Sequence, residues 1–143
     1  MSQTFDVLLV EDSKHDIMAT RRAWKTFEIP SPLRVVTDGE ACLDYLFGRG
    51  PYEDPESAPR PGLVLLDINL PKLNGLEVLE RIRAQAEFQD LPIVMLTTSQ
   101  MVEDRKNSYT LGANAFVRKP DRYEDFAEAI QTIHRFWQLA AAQ

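Results

Sequence analysis

A doubly wound α/β fold, a five-stranded parallel sheet with helices on both faces, follows from two observations. Short, nearly all-apolar, β-branched runs recur five times along the chain, and stretches with helical spacing separate them. Continuous apolar runs, unlike alternating ones, describe strands buried on both faces, as in parallel sheets covered by helices. Parallel neighbours need crossovers, which are almost always right-handed. The flavodoxin-like strand order 2-1-3-4-5 is the expectation.

The first strand is Val7-Leu8-Leu9-Val10, and the first helix runs from about Ser13 to Phe27. Ser13 is available as its N-cap, and Ile17, Trp24 and Phe27 fall near one face. Leu33-Arg34-Val35-Val36, the least pure run, is the second strand, and a helix starting near Asp38 carries Cys42, Leu43 and Leu46. Residues 48–62 are dense in Gly, Pro and acids and read as an exposed loop insertion, not a domain boundary. Leu63-Val64-Leu65-Leu66 forms the third strand; the third helix, Asn74 to about Arg83, spaces Leu76, Leu79 and Ile82 at helical intervals. Ile93-Val94-Met95-Leu96 precedes an unusually polar helix around Val102 to Leu111, which Gly112 stops. The weaker run Ala115-Phe116-Val117-Arg118 leads to a last helix from Tyr123 to Ala140, which stacks Phe126, Ile130, Ile133 and Trp137 within a narrow arc.

At 143 residues and 44% hydrophobic, the chain suffices for one good core, so residues 1–143 are expected to form a single domain. Sixteen basic residues against 22 acidic ones leave a net charge of −6, which disfavours direct nucleic-acid binding. Cys42 has no cysteine to pair with, no secretory signal pattern opens the chain, and its apolar runs are too short to span a membrane. A cytoplasmic location without membrane association is the expectation.

Every candidate for chemistry lies just past a strand's carboxyl end: Glu11 and Asp12, Asp67, Thr97 and Thr98, and Lys119. Open α/β sheets bind ligands there, where the strand order reverses. With the first and third strands adjacent, Glu11, Asp12 and Asp67 converge, and three crowded carboxylates require a cation. Oxygen ligands suit Mg²⁺ rather than Zn²⁺, and His15 and His134 have no cysteine partner nearby. With the metal neutralising charge, Lys119 and Thr97 are left to hold phosphoryl oxygens, and Asp67 becomes a plausible nucleophile for an acyl phosphate.

Four motifs now stand in order: Val-Glu-Asp at 10–12, Leu-Leu-Asp-Ile-Asn-Leu-Pro-Lys-Leu-Asn-Gly at 65–75, Leu-Thr-Thr-Ser at 96–99, and Gly-Ala-Asn-Ala-Phe-Val-Arg-Lys-Pro at 112–120. Together they resemble the receiver domain of two-component response regulators over nearly the whole chain. The resemblance implies Asp67 as phosphoacceptor, Glu11 and Asp12 as the acidic pair, and the Asn69 backbone carbonyl as a further ligand of Mg²⁺, for which Mn²⁺ substitutes. It also implies Thr97 as the switch hydroxyl, Phe116 as the aromatic that turns inward with it, Lys119 as the phosphate partner, and a cis Lys119–Pro120 bond. Asn69 and Ser99 are implied to influence the phosphoryl lifetime.

The insertion, the polar fourth helix and the Phe136-Trp137 ending narrow the resemblance to small stand-alone regulators that pair with phytochrome-type histidine kinases. A histidine kinase, here a bacteriophytochrome, is the implied partner. A homodimer through the fourth helix, fifth strand and fifth helix is expected, with Tyr109, Phe136 and Trp137 on its surface. No output domain follows the fifth helix, so signalling is expected to run through a partner or self-association.

This reading describes a phosphoacceptor switch rather than an enzyme, although one that promotes its own phosphorylation and dephosphorylation. Phosphatases of the haloacid dehalogenase type also use an aspartyl phosphate, but they place a second acid two residues after the nucleophile, where this chain has Asn69. A phosphorylation-independent module of the same fold typically loses part of the acidic set or the lysine; all are present here.

Overall fold

In the computed structural model, which describes residues 5–141, the apolar runs become β1 (Val7–Val10), β2 (Leu33–Val36), β3 (Leu63–Leu66), β4 (Ile93–Thr97) and β5 (Ala115–Arg118). They form one parallel sheet in the order β2-β1-β3-β4-β5, with Val7 opposite Leu33 on one side and Leu63 on the other. Crossover helices α1 (Lys14–Thr26), α2 (Gly39–Phe47), α3 (Gly75–Arg83) and α4 (Val102–Thr110) join the strands, and α5 (Tyr123–Ala141) follows β5.

Strand composition tracks position in the sheet. The three central strands are buried throughout, whereas edge strands β2 and β5 expose Arg34 and Arg118. Each edge strand has only one neighbour, which is why its run is less pure. Side chains alternate between two cores. Leu8, Val10, Val64, Leu66, Ile93 and Met95 pack with α2 and α3. Val7, Leu9, Leu63, Leu65, Val94 and Leu96 pack with Ala23 of α1 and Phe126, Ala127 and Ile130 of α5.

Helix starts follow the local chemistry. Ser13, Asp38 and Asn74 each cap a helix through a side-chain oxygen accepting backbone N–H groups. α4 ends at Thr110, one residue before the expected Leu111, and Gly112 follows with φ +105°. Residues 48–62 contain two short 3₁₀ turns, Gly50–Tyr52 and Pro55–Ser57. They are pinned to the body by Tyr45 Oη donating to the Pro59 carbonyl at 2.9 Å and Arg60 donating to the Glu87 carbonyl at 2.6 Å. A third 3₁₀ turn, Ala86–Phe88, was absent from the sequence expectation. Among the described residues no helix is long and apolar enough to cross a membrane.

One expectation is corrected. Among the described residues no peptide bond is cis, so Lys119–Pro120 is trans, the isomer an X–Pro bond favours by about 0.5–1 kcal/mol.

Candidate functional site

The strand order reverses between β1 and β3, and the carboxyl ends of these strands deliver the acids. Glu11 directly follows β1, with its backbone N–H donating to Val36 O at 3.0 Å. Asp67 directly follows β3, and its N–H donates to Val10 O at 3.2 Å. Both carboxylates are buried, at 2% and 7% exposure, while Asp12 is exposed. One carboxylate oxygen from each of Glu11, Asp12 and Asp67 lies within 4.8 Å of the others.

Lys119, just past β5, reaches into this cluster. Its Nζ donates to Glu11 Oε2 at 2.5 Å, Asp16 Oδ2 at 2.8 Å and Asp67 Oδ2 at 3.0 Å. Desolvation alone would lower the Lys119 ammonium, but hydrogen bonds to Asp16 and Glu11 and the Asp67 charge hold it above its ordinary value. Burial pushes the Glu11 carboxyl up to about 7, although the Lys119 hydrogen bond and charge pull the other way. Lys119 is therefore a fixed cation, and burial holds Glu11 toward its protonated form.

The remaining Asp67 oxygen, Oδ1, accepts the Ile68 N–H at 2.7 Å. The loop beyond it folds back tightly: Gly75 N–H donates to Ile68 O at 2.7 Å, and a Cβ on Gly75 would lie 2.0 Å from the Asp67 carbonyl oxygen. Only glycine permits that approach. This explains the glycine eight residues after the acid and fixes Asp67 from behind.

Thr97 ends β4 and is fully buried, whereas Thr98 is exposed, which separates the two candidates by position. Thr97 Oγ1 accepts the Ser99 N–H at 3.3 Å. Phe116 is half-buried against the α2–α3 core, and its N–H donates to Tyr109 Oη at 3.1 Å. Asn69 is exposed in the loop after β3.

Away from the cluster, Tyr109 and Phe136 are exposed, and Trp137 is half-buried against the α1–α5 core, with its ring edge-on to Phe136 at 4.9 Å. Trp137 thus serves the protein's own core more than a free surface.

Asp16 is the residue that sequence reasoning missed. As an acid in the first turn of α1 it reads as a partner for the helix dipole, yet its side chain binds Lys119. Its place in the first turn of the helix that follows β1 is all the sequence offered, and it does not reveal the lysine.

The donor set fits a hard divalent cation. Three carboxylates supply oxygen ligands with no histidine or cysteine among them, and exposed Asp12 leaves a side open to solvent. A nucleophilic carboxylate, a buried ammonium and a buried hydroxyl around such a cation can receive a phosphoryl group.

The response regulator receiver domain family matches residues 7–131. Response regulator Rcp1 from Synechocystis sp. is 40% identical over 131 residues, covering 92% of this chain and 87% of the relative. The crystal structure of the phosphorylated cyanobacterial phytochrome response regulator RcpA agrees with a TM-score of 0.87 at 34% identity, covering 94% of each chain. That of the Mn²⁺-bound form of Rcp1 agrees with a TM-score of 0.85 at 39% identity, again over 94% of each chain. The expected fold, strand order and family are thereby established, and the chain belongs to the response regulator receiver domain family of phosphorelay signalling proteins.

Proposed function

We propose that the chain is a single receiver domain phosphorylated on Asp67, with Mg²⁺ held by Glu11, Asp12, Asp67 and the Asn69 carbonyl. The observation that carries this reading is the buried Asp67 carboxylate, 3.0 Å from the Lys119 ammonium and clustered with Glu11 and Asp12. The Mn²⁺-bound form of Rcp1 supports a divalent cation and the substitution of Mn²⁺ for Mg²⁺. When bound, Mg²⁺ supplies positive charge that offsets the carboxylate and phosphoryl oxygens.

In the transfer, an Asp67 carboxylate oxygen bonds to phosphorus as the bond from phosphorus to the donor's histidine nitrogen breaks, and that nitrogen keeps the electron pair. The Ile68 N–H holds the carboxylate, and the close approach of Gly75 fixes the backbone behind it. Lys119 and the Thr97 hydroxyl then bind phosphoryl oxygens, and Phe116 turns inward as Thr97 moves. The same groups let the chain promote its own phosphorylation from small donors and its own dephosphorylation. Intact-protein mass spectrometry after incubation with acetyl phosphate tests this. A hydroxylamine-labile gain of one phosphoryl mass that needs both Mg²⁺ and Asp67 is expected. No gain, with a kinase also failing, would leave a phosphorylation-independent module.

The donor in this reading is a phytochrome-type histidine kinase in the cytoplasm, since RcpA is itself a phytochrome response regulator. Faster transfer from such a kinase than from unrelated histidine kinases is the expected result. Output runs through a homodimer of the α4-β5-α5 face. One groove beside β5 is lined by Arg105, Arg118 and Phe116, and another by Asp125, Glu128 and Ile133, so two copies related by a two-fold axis offer opposite charges. Exposed Tyr109 and Phe136 add apolar surface on the helices of this face. Sedimentation showing only monomer at tens of micromolar, with and without beryllofluoride, would defeat the dimer.

A further inference from the structure

The loop joining β4 to α4 carries a chain of contacts that phosphoryl transfer as described leaves unused. Thr97 Oγ1 accepts the Ser99 N–H at 3.3 Å, so one lone pair is engaged while the hydroxyl proton remains for another acceptor. Ser99 Oγ in turn donates to Asp104 Oδ2 at 2.5 Å and accepts the Met101 N–H at 3.2 Å. α4 needs this help, because Met101 at its N-cap position makes no side-chain cap. Ser99 therefore satisfies an orphan donor of the helix, and Asp104 stands in the first turn, where negative charge suits the dipole. Asp104 is itself anchored, its carbonyl accepting from Ser108 Oγ at 2.7 Å, and Ser108 is fully buried.

We propose that Asp104 is a positioning residue for the Thr97 hydroxyl, acting through Ser99. The inference rests on the reading of Thr97 as a phosphoryl ligand. A hydroxyl is a rotor, and a donor aimed before the phosphoryl oxygens arrive spends no energy on reorganisation when they do. The backbone N–H that engages Thr97 belongs to Ser99, and the Ser99 side chain is held by a short hydrogen bond to a carboxylate, the strong class of such bonds. Loss of the Asp104 carboxylate frees Ser99, and with it the direction in which Thr97 points.

The test is calorimetric titration of the full chain with beryllofluoride in the presence of Mg²⁺. Asp104→Ala should bind about fivefold more weakly, a fraction of one charge-assisted hydrogen bond. Asp104→Asn keeps an acceptor oxygen for the Ser99 hydroxyl and should recover most of the affinity. Ser99→Ala, which leaves the helix residue untouched, should lose as much as Asp104→Ala. In a Thr97→Ala background, Asp104→Ala should have no further effect. Equal losses in both backgrounds would mark a merely structural role and overturn the proposal, as would unchanged affinity in Asp104→Ala. Full affinity in Thr97→Ala would remove the reading of Thr97 and this inference together, whereas loss there without loss in Asp104→Ala would sink the inference alone.

Discussion

Replacing Lys119 with methionine keeps most of the length of the side chain and deletes the ammonium that touches Glu11, Asp16 and Asp67 together. The Glu11 and Asp67 side chains are 3% and 8% exposed, so they cannot recover hydration, while Asp16, at 23%, partly can. Deleting one partner of a buried ion pair costs about 3–5 kcal/mol. The partial escape of Asp16 favours the lower end, about 3 kcal/mol, or a Tm about 6–12 °C lower for a chain of this size. Glu11 moderates the loss, because its carboxyl is already raised to about 7 and rises further without the lysine. A carboxyl raised in the folded state binds its proton there more tightly than in the unfolded chain. Its contribution to stability is therefore present at low pH and lost as pH climbs through the folded value. Lys119→Met should thus be least stable relative to wild type near pH 8 and less penalised near pH 6. Added Mg²⁺ should restore more stability to the variant than it adds to wild type, because it meets uncompensated charge. Urea titrations at the two pH values, with Mg²⁺ and with chelator, measure all three effects. A loss below about 1 kcal/mol at pH 8 in chelator, the worth of an exposed pair, or an equal Mg²⁺ effect on both proteins, would mean that Lys119 does not neutralise a buried acid cluster.

Gly75→Ala should cost about 3 kcal/mol in chemical denaturation, because its Cβ would meet the Asp67 carbonyl oxygen, which is backbone and cannot swing aside; it should also slow phosphorylation by acetyl phosphate. His134 is buried, hydrogen-bonded to Ser31 Oγ at 2.7 Å and packed against Phe5 and Trp24, and burial lowers its affinity for a proton. The unfolded chain takes up that proton first, so stability should fall as pH drops below about 6.5, by at most about 1.4 kcal/mol per unit. His134→Gln should flatten that slope in denaturation curves taken across pH 5 to 7.

Much of the fold was legible because burial on both faces leaves an unambiguous signature. The pure runs at 7–10, 63–66 and 93–96 became the central strands, and the two runs containing arginine became the edges. The acids were legible for a related reason, since each follows a strand and strand order alone brings them together. What stayed hidden was set by side chains meeting across the fold. Asp16 and Lys119 are 103 residues apart, and no local pattern distinguishes an acid that serves a helix dipole from one that grips a distant ammonium. Trp137 fell under two expectations at once, the apolar arc and the partner surface, and its packing against the core bears on the first. The Ser99–Asp104 contact spans a loop whose path the sequence does not dictate. Isomerism at Pro120 was likewise invisible locally, because it depends on how the loop after β5 closes.

The separation of the cluster along the chain has its own consequence. Glu11 and Lys119 lie 108 residues apart, and Asp67 sits between them, 52 residues from Lys119. The three carboxylates need only β1 and β3, which are direct neighbours, but the ammonium follows β5 and reaches them only when β4 has filled the place between. The proposed cation ligands can therefore meet once β1 and β3 pair, whereas the lysine for the phosphoryl group arrives only with the completed sheet. In the proposed reading, cations and phosphoryl mimics bind the folded form, so each would add to the stability of the whole molecule by mass action, in proportion to the logarithm of its concentration over its Kd. Signal and folding would then share one reservoir of free energy, and a destabilised variant that is partly unfolded at low Mg²⁺ should regain structure and responsiveness together as Mg²⁺ is added.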